Sequence, residues 1–347
     1  MASINAYLVK QVLHINHYFV ERKIAHKKTI NYPKLRKGLT RISAKNKVDK
    51  NVLVQRFEMS LRLSNGESKK MNMAWLKPRK VSQKIPAVLL YIHGGGYTIG
   101  SIDSHKAMVS KMVAASEIPA LMMDYALAPE EPFPAGLADC VASYKWLLEE
   151  EGYTADRIIV GGDSAGGGLA LASLLEFKNL GLPQPAGAVL LSPWTDASLT
   201  ESASMNDPKE DKNDPYVKRR TLRSMALAYV AEEEAKLKNP LVSPVYADLT
   251  GLCPLLIQVG TEEILRDDAI RLAEAARKAG VVTNLEVWND MFHVFQSFWR
   301  HLPESYEAIG RIGSFMWRKL EVSADRGKNL DRQVAASNER VKDNAVK

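Results

Sequence analysis

The residues that decide the fold are Arg157-Ile158-Ile159-Val160-Gly161-Gly162-Asp163-Ser164-Ala165-Gly166. The apolar run up to Val160 predicts a buried strand, and a helix is expected to begin near Ala165. Between them, GDSAG fits G-x-S-x-G, the pattern of a strand–turn–helix that exposes a nucleophilic serine. Glycine at both ends of the pattern avoids collisions between a Cβ and the backbone in so tight a turn. In this context the pattern favours Ser164 as a nucleophile over a serine that only caps a helix.

Short apolar runs alternate with helical segments on both sides of this turn. Strands are predicted at Ala87–Ile92, Ala120–Asp124, Ile158–Val160, Ala188–Leu191, Leu255–Val259 and Leu285–Val287. Helices are predicted at about 103–116, 136–150, 165–180, 266–279 and 304–320. This alternation is typical of an α/β fold with a mostly parallel sheet between two layers of helices. The alternating stretch Val52–Trp75, with a turn at Ser64–Glu67, adds an antiparallel hairpin.

Composition excludes several classes of protein. The chain has 347 residues, of which 46% are hydrophobic and 25% charged, and these values exclude a mainly disordered protein. Cys140 and Cys253 are too few for a disulfide scaffold or a cysteine-based zinc cluster, and we expect both to be buried apolar groups. No apolar run approaches the roughly 18 residues of a membrane span. Ala6–Val20 also lacks the features of a signal peptide, so a cytoplasmic location is expected.

The positive charge is concentrated at the N-terminus. Residues 1–80 hold 19 of the 47 basic residues but only four of the 40 acidic ones, whereas the remainder is net acidic. Three interpretations are open: a solvated basic face, contact with an anionic membrane surface or substrate, and nucleic-acid binding. The last is disfavoured because aromatic residues are not interleaved with the basic ones and no nucleic-acid motif is present.

A glycine loop, His93-Gly94-Gly95-Gly96, follows the predicted strand Ala87–Ile92. Glycines let backbone N–H groups approach a developing negative charge, as an oxyanion hole requires. The expected donors are the N–H groups of Gly94, Gly95 and Ala165. A phosphate-binding loop would need a helix directly after the glycines and a Lys-Ser/Thr pair, and neither is present. His93 itself is expected to be a structural hydrogen-bonding residue.

The base and the acid should follow later strands. In hydrolases with this serine pattern the order along the chain is serine, acid, histidine. Of seven histidines only His293 and His301 come late enough, and His293 is preferred because it directly follows the last strand. The loop after Leu255–Val259 offers four carboxylates: Glu262, Glu263, Asp267 and Asp268. The two aspartates begin a helix, where the helix dipole explains them; both glutamates could orient the histidine.

Five ordered motifs resemble those of the hormone-sensitive-lipase-like esterases, the bacterial family IV carboxylesterases. They are His93-Gly94-Gly95-Gly96-Tyr97, Tyr125-Ala126-Leu127-Ala128-Pro129-Glu130, Phe133-Pro134-Ala135, Gly162-Asp163-Ser164-Ala165-Gly166-Gly167 and Leu191-Ser192-Pro193-Trp194. The resemblance covers about residues 85–320. It implies an α/β-hydrolase fold with a helical cap, and hydrolysis of short- to medium-chain acyl esters without a cofactor. It also implies Ser164 as nucleophile and His293 as base.

One motif departs from the family. The usual Asp-Pro-Leu-x-Asp at the acid is replaced by Glu263-Ile264-Leu265-Arg266-Asp267. The alignment implies Glu263 as the acid of a Ser-His-Glu triad, with Glu262 and Asp267 as the alternatives. The first 50 residues match nothing specific in the family.

The resemblance also implies how the chain is divided. The cap is expected to comprise residues 1–50 and an insertion at 200–240, the core residues 51–199 and 241–322, and residues 323–347 an exposed tail. Apolar residues spaced by three and four predict an N-terminal helix with its apolar face over the site mouth: Ile4, Leu8, Val12, Ile15 and Phe19. Relatives often pair through edge strands, which implies a homodimer.

Two other functions fit the same fold. The gibberellin receptors of plants resemble this family and bind ligand without the catalytic histidine, but His293 is present here. Serine peptidases of this fold usually carry a large additional domain, for which 347 residues leave no room. The sequence therefore predicts a serine carboxylesterase that acts on small esters, without nucleic acid as a partner and without a membrane span.

Overall fold

One eight-stranded sheet forms the centre of the molecule. The computed structural model describes residues 3–13, 30–43, 46–63, 66–81 and 86–321. The sheet order is β1-β2-β4-β3-β5-β6-β7-β8, and only β2 runs against the other seven strands. The strands are β1 Val52–Arg62, β2 Ser68–Pro78, β3 Val88–Ile92, β4 Ala120–Met123, β5 Ile158–Asp163, β6 Gly187–Leu191, β7 Leu255–Gly260 and β8 Thr283–Trp288. The expected mostly parallel sheet with an antiparallel hairpin is confirmed.

Helices cover both faces of this sheet. They are α1 (residues 4–13), α2 Tyr32–Ser43, α3 Ile102–Ser116, α4 Ala135–Glu149, α5 Ala165–Asn179, α6 Ala203–Asn206, α7 Pro208–Asn213, α8 Arg219–Tyr229, α9 Arg266–Lys278 and α10 (residues 303–321). Alternate side chains of β3 point into the two layers: Leu90 belongs to the hydrophobic cluster that includes residues of α4 and α5, and Leu89 to the cluster that includes residues of α3 and α10. A strand buried on both faces must be apolar at every position, and β3 and β6 are. None of the helices in the described ranges is long and apolar enough to cross a membrane.

Strand β5 is longer than its sequence predicts. It was expected to end at Val160, because the glycines after it are typical of a turn, but it continues to Asp163. The added residues pair with Tyr91 and Ile92 on one side and with Val189–Leu191 on the other. Pairing on both edges therefore overrides the local preference of the glycines and carries Ser164 to the very end of the strand.

The N-terminal helix α1 presents a different face from the expected one. Ala6, Val9 and Leu13 pack against a cluster that includes Phe292 and Phe295, whereas Ile4, Leu8 and Val12 are exposed. Lys10 pairs with Glu262 at 2.8 Å and fixes this orientation. The expectation that the Ile4–Leu8–Val12 face covers the site mouth is therefore wrong. Ile15 and Phe19, and the tail at 323–347, lie outside the described residues.

The insertion and the second N-terminal helix meet above the glycine loop. Helix α8 contacts it so closely that a Cβ on Gly96 would lie 2.1 Å from Met225 Sδ. Helix α2 contributes Arg36, which donates to the carbonyl oxygens of Thr98 and Ala128, both at 2.7 Å. The Tyr32 hydroxyl donates to Ser224 O of α8 at 3.3 Å. The two segments expected to form a cap are thus joined to each other and to the loop.

Replacing Gly166 by alanine should destabilise the protein. A Cβ there would lie 2.2 Å from Ile92 O and 2.4 Å from His93 O. Because these atoms belong to the backbone of β3 and of the glycine loop, we expect a loss of about 1–3 kcal/mol or more in the free energy of unfolding. Gly310→Ala is the matched control, since nothing lies within 4 Å of its Cβ position; in the middle of α10 it should gain about 0.5–1 kcal/mol. Chemical denaturation measures both, and equal stability of the two variants would contradict the expectation.

Candidate active site

Ser164 occupies a strained turn between β5 and α5. Its backbone has φ 53° and ψ −124°, a region that side-chain-bearing residues rarely adopt. Three backbone hydrogen bonds hold it there: its N–H donates to Leu191 O at 2.8 Å, and its carbonyl oxygen accepts from the N–H groups of Gly168 (3.1 Å) and Trp194 (2.9 Å). The strain is thus imposed by two neighbouring segments, as expected for a turn that holds a nucleophile.

Glu263 and His293 form a buried pair. Glu263 Oε2 lies 2.8 Å from His293 Nδ1, and both side chains are buried. Glu263 Oε1 accepts from Gly260 N at 2.6 Å and from Ser192 Oγ at 2.9 Å. Burial alone would lower the pKa of His293, but the hydrogen bond and the charge of Glu263 outweigh it and raise the pKa. The bonds from Gly260 and Ser192 fix the carboxylate, and the carboxylate in turn holds the imidazole in one orientation.

The serine and this pair meet at one edge of the sheet. Ser164 follows β5, Glu263 follows β7 and His293 follows β8, and the carboxyl ends of parallel strands share an edge. Ser192, directly after β6, connects them, because its hydroxyl also accepts from Val294 N at 3.1 Å. No hydrogen bond joins Ser164 Oγ to His293 in the described part of the chain. Such contacts are often long without substrate and tighten when it binds.

The hydrogen bonds of the glycine loop show that one of the three expected oxyanion donors, Gly94, is wrong. Gly94 N–H donates to Asp163 Oδ1 at 3.1 Å, so it is already used within the protein. Tyr91 and His105 hold the same carboxylate, at 2.8 and 3.2 Å. By contrast, the N–H groups of Gly95, Gly96 and Ala165 donate to no acceptor among the described residues. Gly94 is therefore replaced by Gly96 in the candidate set of donors.

His93 holds the start of this loop through its side chain. Its Nδ1 lies 2.8 Å from Gly94 O, and its ring stacks on Tyr125 with centroids 4.3 Å apart. Burial, with a smaller contribution from the charge of His105, lowers the pKa of His93 to about 3, so it is neutral at physiological pH. This agrees with a structural role and with no part in proton transfer.

The acid loop, residues 261–268 after β7, carries three further carboxylates, and each has a partner other than His293. Glu262 pairs with Lys10, and Asp267 accepts from Ser204 N at 2.7 Å. Asp268 is buried and accepts from the N–H groups of Thr195 and Asp196 at 3.0 and 2.9 Å. Among the four, Glu263 is the one that contacts His293. No group of three or more His, Cys, Asp or Glu in the described ranges is arranged to hold a metal ion.

Two polar residues of the site escaped the sequence reasoning. Ser192 lies in the Leu191-Ser192-Pro193-Trp194 motif, which could have drawn attention to it. Asp214, in the insertion, is buried and accepts from Ile264 N at 3.0 Å, beside Glu263. Its charged local sequence gave no signal of burial.

Comparison with known proteins shows the family to which this fold belongs. Residues 89–297 match the family model described as the alpha/beta hydrolase fold. The chain belongs to this family. It is 43% identical over 242 residues to an acetyl-hydrolase of Streptomyces hygroscopicus, covering 70% of this chain and 78% of that protein. An esterase of Acinetobacter venetianus is 34% identical over 237 residues, with 68% and 76% covered.

Solved structures of esterases have the same fold as this chain. The esterase EstE5, soaked with p-nitrophenyl butyrate, is 36% identical with a TM-score of 0.80, covering 92% of this chain and 100% of that one. An esterase from the bacterial hormone-sensitive lipase family is 38% identical with a TM-score of 0.79, covering 92% and 99%. This α/β-hydrolase is therefore a carboxylic ester hydrolase of the hormone-sensitive-lipase type.

The environment of Asp268 predicts a pH-dependent stability. Burial and the nearby charge of Asp196 raise the pKa of Asp268 from 3.8 to about 7. The folded state then binds this proton more tightly than the unfolded state, so its contribution to stability is lost as the pH rises from about 4 to about 7. Asp268→Asn avoids this loss, and its stability relative to wild type should be higher at pH 8 than at pH 5. Thermal unfolding at both values measures it; a difference independent of pH would contradict the assignment.

Proposed function

We propose that this α/β-hydrolase cleaves short- to medium-chain acyl esters with a Ser164–His293–Glu263 triad and an acyl-enzyme intermediate. The observation that carries the proposal is the buried Glu263–His293 pair at 2.8 Å. It lies at the same sheet edge as the strained turn of Ser164. A charged carboxylate is costly to bury, and orienting a catalytic imidazole is a chemical reason to bury one.

The proposed reaction has two halves. Ser164 Oγ attacks the ester carbonyl while His293 Nε2 takes its proton, and the imidazolium returns that proton to the leaving alcohol. Water, deprotonated by the same histidine, then attacks the acyl-enzyme and releases the acid and the free serine. Throughout, Glu263 keeps the Nδ1 proton in place and stabilises the imidazolium.

Stabilisation of the oxyanion is assigned to backbone N–H groups. The three free donors of Gly95, Gly96 and Ala165 lie on the loop and helix that flank Ser164. Donors of this kind are worth about 2.7–4 kcal/mol each in measured cases. Asp163 supports them indirectly, because it fixes Gly94 at the start of the loop.

The acyl side is proposed to lie between the glycine loop and the cap. Met225 contacts Gly96, and Tyr229 stacks on Tyr97 with ring centroids 3.9 Å apart. These large side chains limit the depth available to an acyl chain. The name of the acetyl-hydrolase relative and the butyrate ester soaked into EstE5 also support short chains. The cap, the homodimer and the cytoplasmic location remain predictions.

A ligand-binding protein without catalysis is the weaker candidate. That reading requires the loss of the base, whereas His293 is present, buried and paired with a carboxylate.

Ser164→Ala tests the nucleophile. The variant lacks the attacking oxygen, so kcat on aryl esters should fall by roughly six orders of magnitude, as in comparable triads. A panel of aryl esters of increasing acyl length, run with both proteins, measures this loss and the chain-length preference. Near-normal turnover by the variant would exclude Ser164 as the nucleophile.

Glu263→Gln tests the acid against its neighbours. An amide offers His293 the wrong tautomer, which costs roughly 10⁴ in kcat in the best-known triad, and we expect a loss of at least several hundredfold. Glu262→Gln and Asp267→Asn are the matched controls and should stay within about tenfold, because removing a partly exposed ion pair such as Lys10–Glu262 costs about 1 kcal/mol or less. Steady-state kinetics on one aryl ester would show the ranking, and the reverse order would place the acid elsewhere in this loop.

A further inference from the structure

A buried carboxylate in the insertion contacts the acid loop from the cap side. Asp214 lies in the turn between α7 and α8 and is 1% exposed. Its Oδ1 accepts from the N–H groups of Tyr216 and Val217 at 2.7 and 2.8 Å. Its Oδ2 accepts from Ile264 N at 3.0 Å. One side chain thus ties two turns of backbone that are 50 residues apart in the sequence.

The second of these turns carries the proposed catalytic acid. Ile264 directly follows Glu263, and fixing the Ile264 N–H fixes the point from which the Glu263 side chain starts. The first turn carries Tyr216, whose ring lies with its centroid 6.0 Å from that of His293. Asp214 therefore sets the positions of two residues that contact the histidine, without contacting substrate itself.

Asp214 also belongs to the charges that face His293. Glu263 from the loop after β7, Asp214 from the insertion and Asp163 from the end of β5 all raise the pKa of His293. Burial raises the pKa of Asp214 to about 6, opposed by the charge of His293, so Asp214 is ionised at pH 8. A negative charge there favours the imidazolium that forms during ester cleavage.

We propose that Asp214 is a positioning residue, which fixes the backbone beside Glu263 from the insertion and supplies a further negative charge towards His293. The inference rests on the proposed function, because it assigns Asp214 a part in the same proton transfer. It also gives the insertion a role in catalysis in addition to its predicted place in the cap.

Asp214→Asn tests the proposal. An amide has one carbonyl oxygen and cannot accept from both turns, so the backbone beside Glu263 should shift and kcat should fall by roughly tenfold with KM little changed. Without the charge, the pKa of His293 should fall, and the acid limb of the kcat/KM profile should move about one unit to lower pH. A purely structural role would not move that limb.

Asp207→Asn is the matched control. Asp207 is exposed in the same insertion and accepts from Lys209 N at 2.8 Å. It should retain the kcat and the pH profile of the wild type. A folded Asp214→Asn variant with unchanged kcat and acid limb would overturn the proposal, as would an equal shift in Asp207→Asn.

Hydrogen exchange on the wild type keeps the test independent of whether the variant folds. The Ile264 amide should exchange slowly at pH 8, because its acceptor is a buried, ionised carboxylate. Fast exchange of this amide would show that the contact is absent and would overturn the proposal. If the wild type hydrolyses no ester at all, the proposed function fails instead, and the exchange result still reports on the contact.

Discussion

The buried carboxylate of Glu263 is the constraint around which the site is arranged. An ionised group without solvent is tolerated only when hydrogen-bond donors replace the water. Glu263 has three such donors: a backbone N–H at the end of β7, the Ser192 hydroxyl after β6 and the His293 ring after β8. Each donor belongs to a different strand end. The register of three neighbouring strands is therefore tied to the orientation of one imidazole, and a slip of one residue in any of them would remove one of the three donors from the buried carboxylate.

Much of this arrangement could be read from the sequence, because its signals are local. The strand before GDSAG, the glycines that only a tight turn needs, and the order of serine, acid loop and histidine are all contiguous patterns. They predicted the sheet and placed Ser164 and His293 at its edge. The proposed acid was harder to choose, since Glu262 and Glu263 are chemically identical neighbours. Only the resemblance favoured Glu263, and the structure separates the two because Glu262 turns outward to Lys10.

The features that the sequence predicted wrongly or did not reveal share a different cause, since each depends on a partner distant in the sequence. In the sequence Gly94 resembles an oxyanion donor, but in the structure Asp163, 69 residues later, accepts its N–H. Helix α1 has apolar residues on two sides, so periodicity alone could not tell which side meets Phe292 and Phe295. Asp214 stands in a charged stretch that suggests a solvated surface, yet the acid loop buries it. Such contacts arise only once the chain has folded.

The ties that Arg36 and Tyr32 make have a consequence for protein engineering. Arg36 donates to the carbonyl oxygens of Thr98 and Ala128, and the Tyr32 hydroxyl donates to Ser224 O of helix α8. The two segments predicted to form the cap are thus joined in the fold, although strands β1 to β6 lie between them in the sequence. A chimaera that imports the insertion of another esterase without its matching N-terminal helix would place a new α8 against the Tyr32 hydroxyl. Exchange of the insertion between relatives should therefore include the N-terminal helix that contacts it.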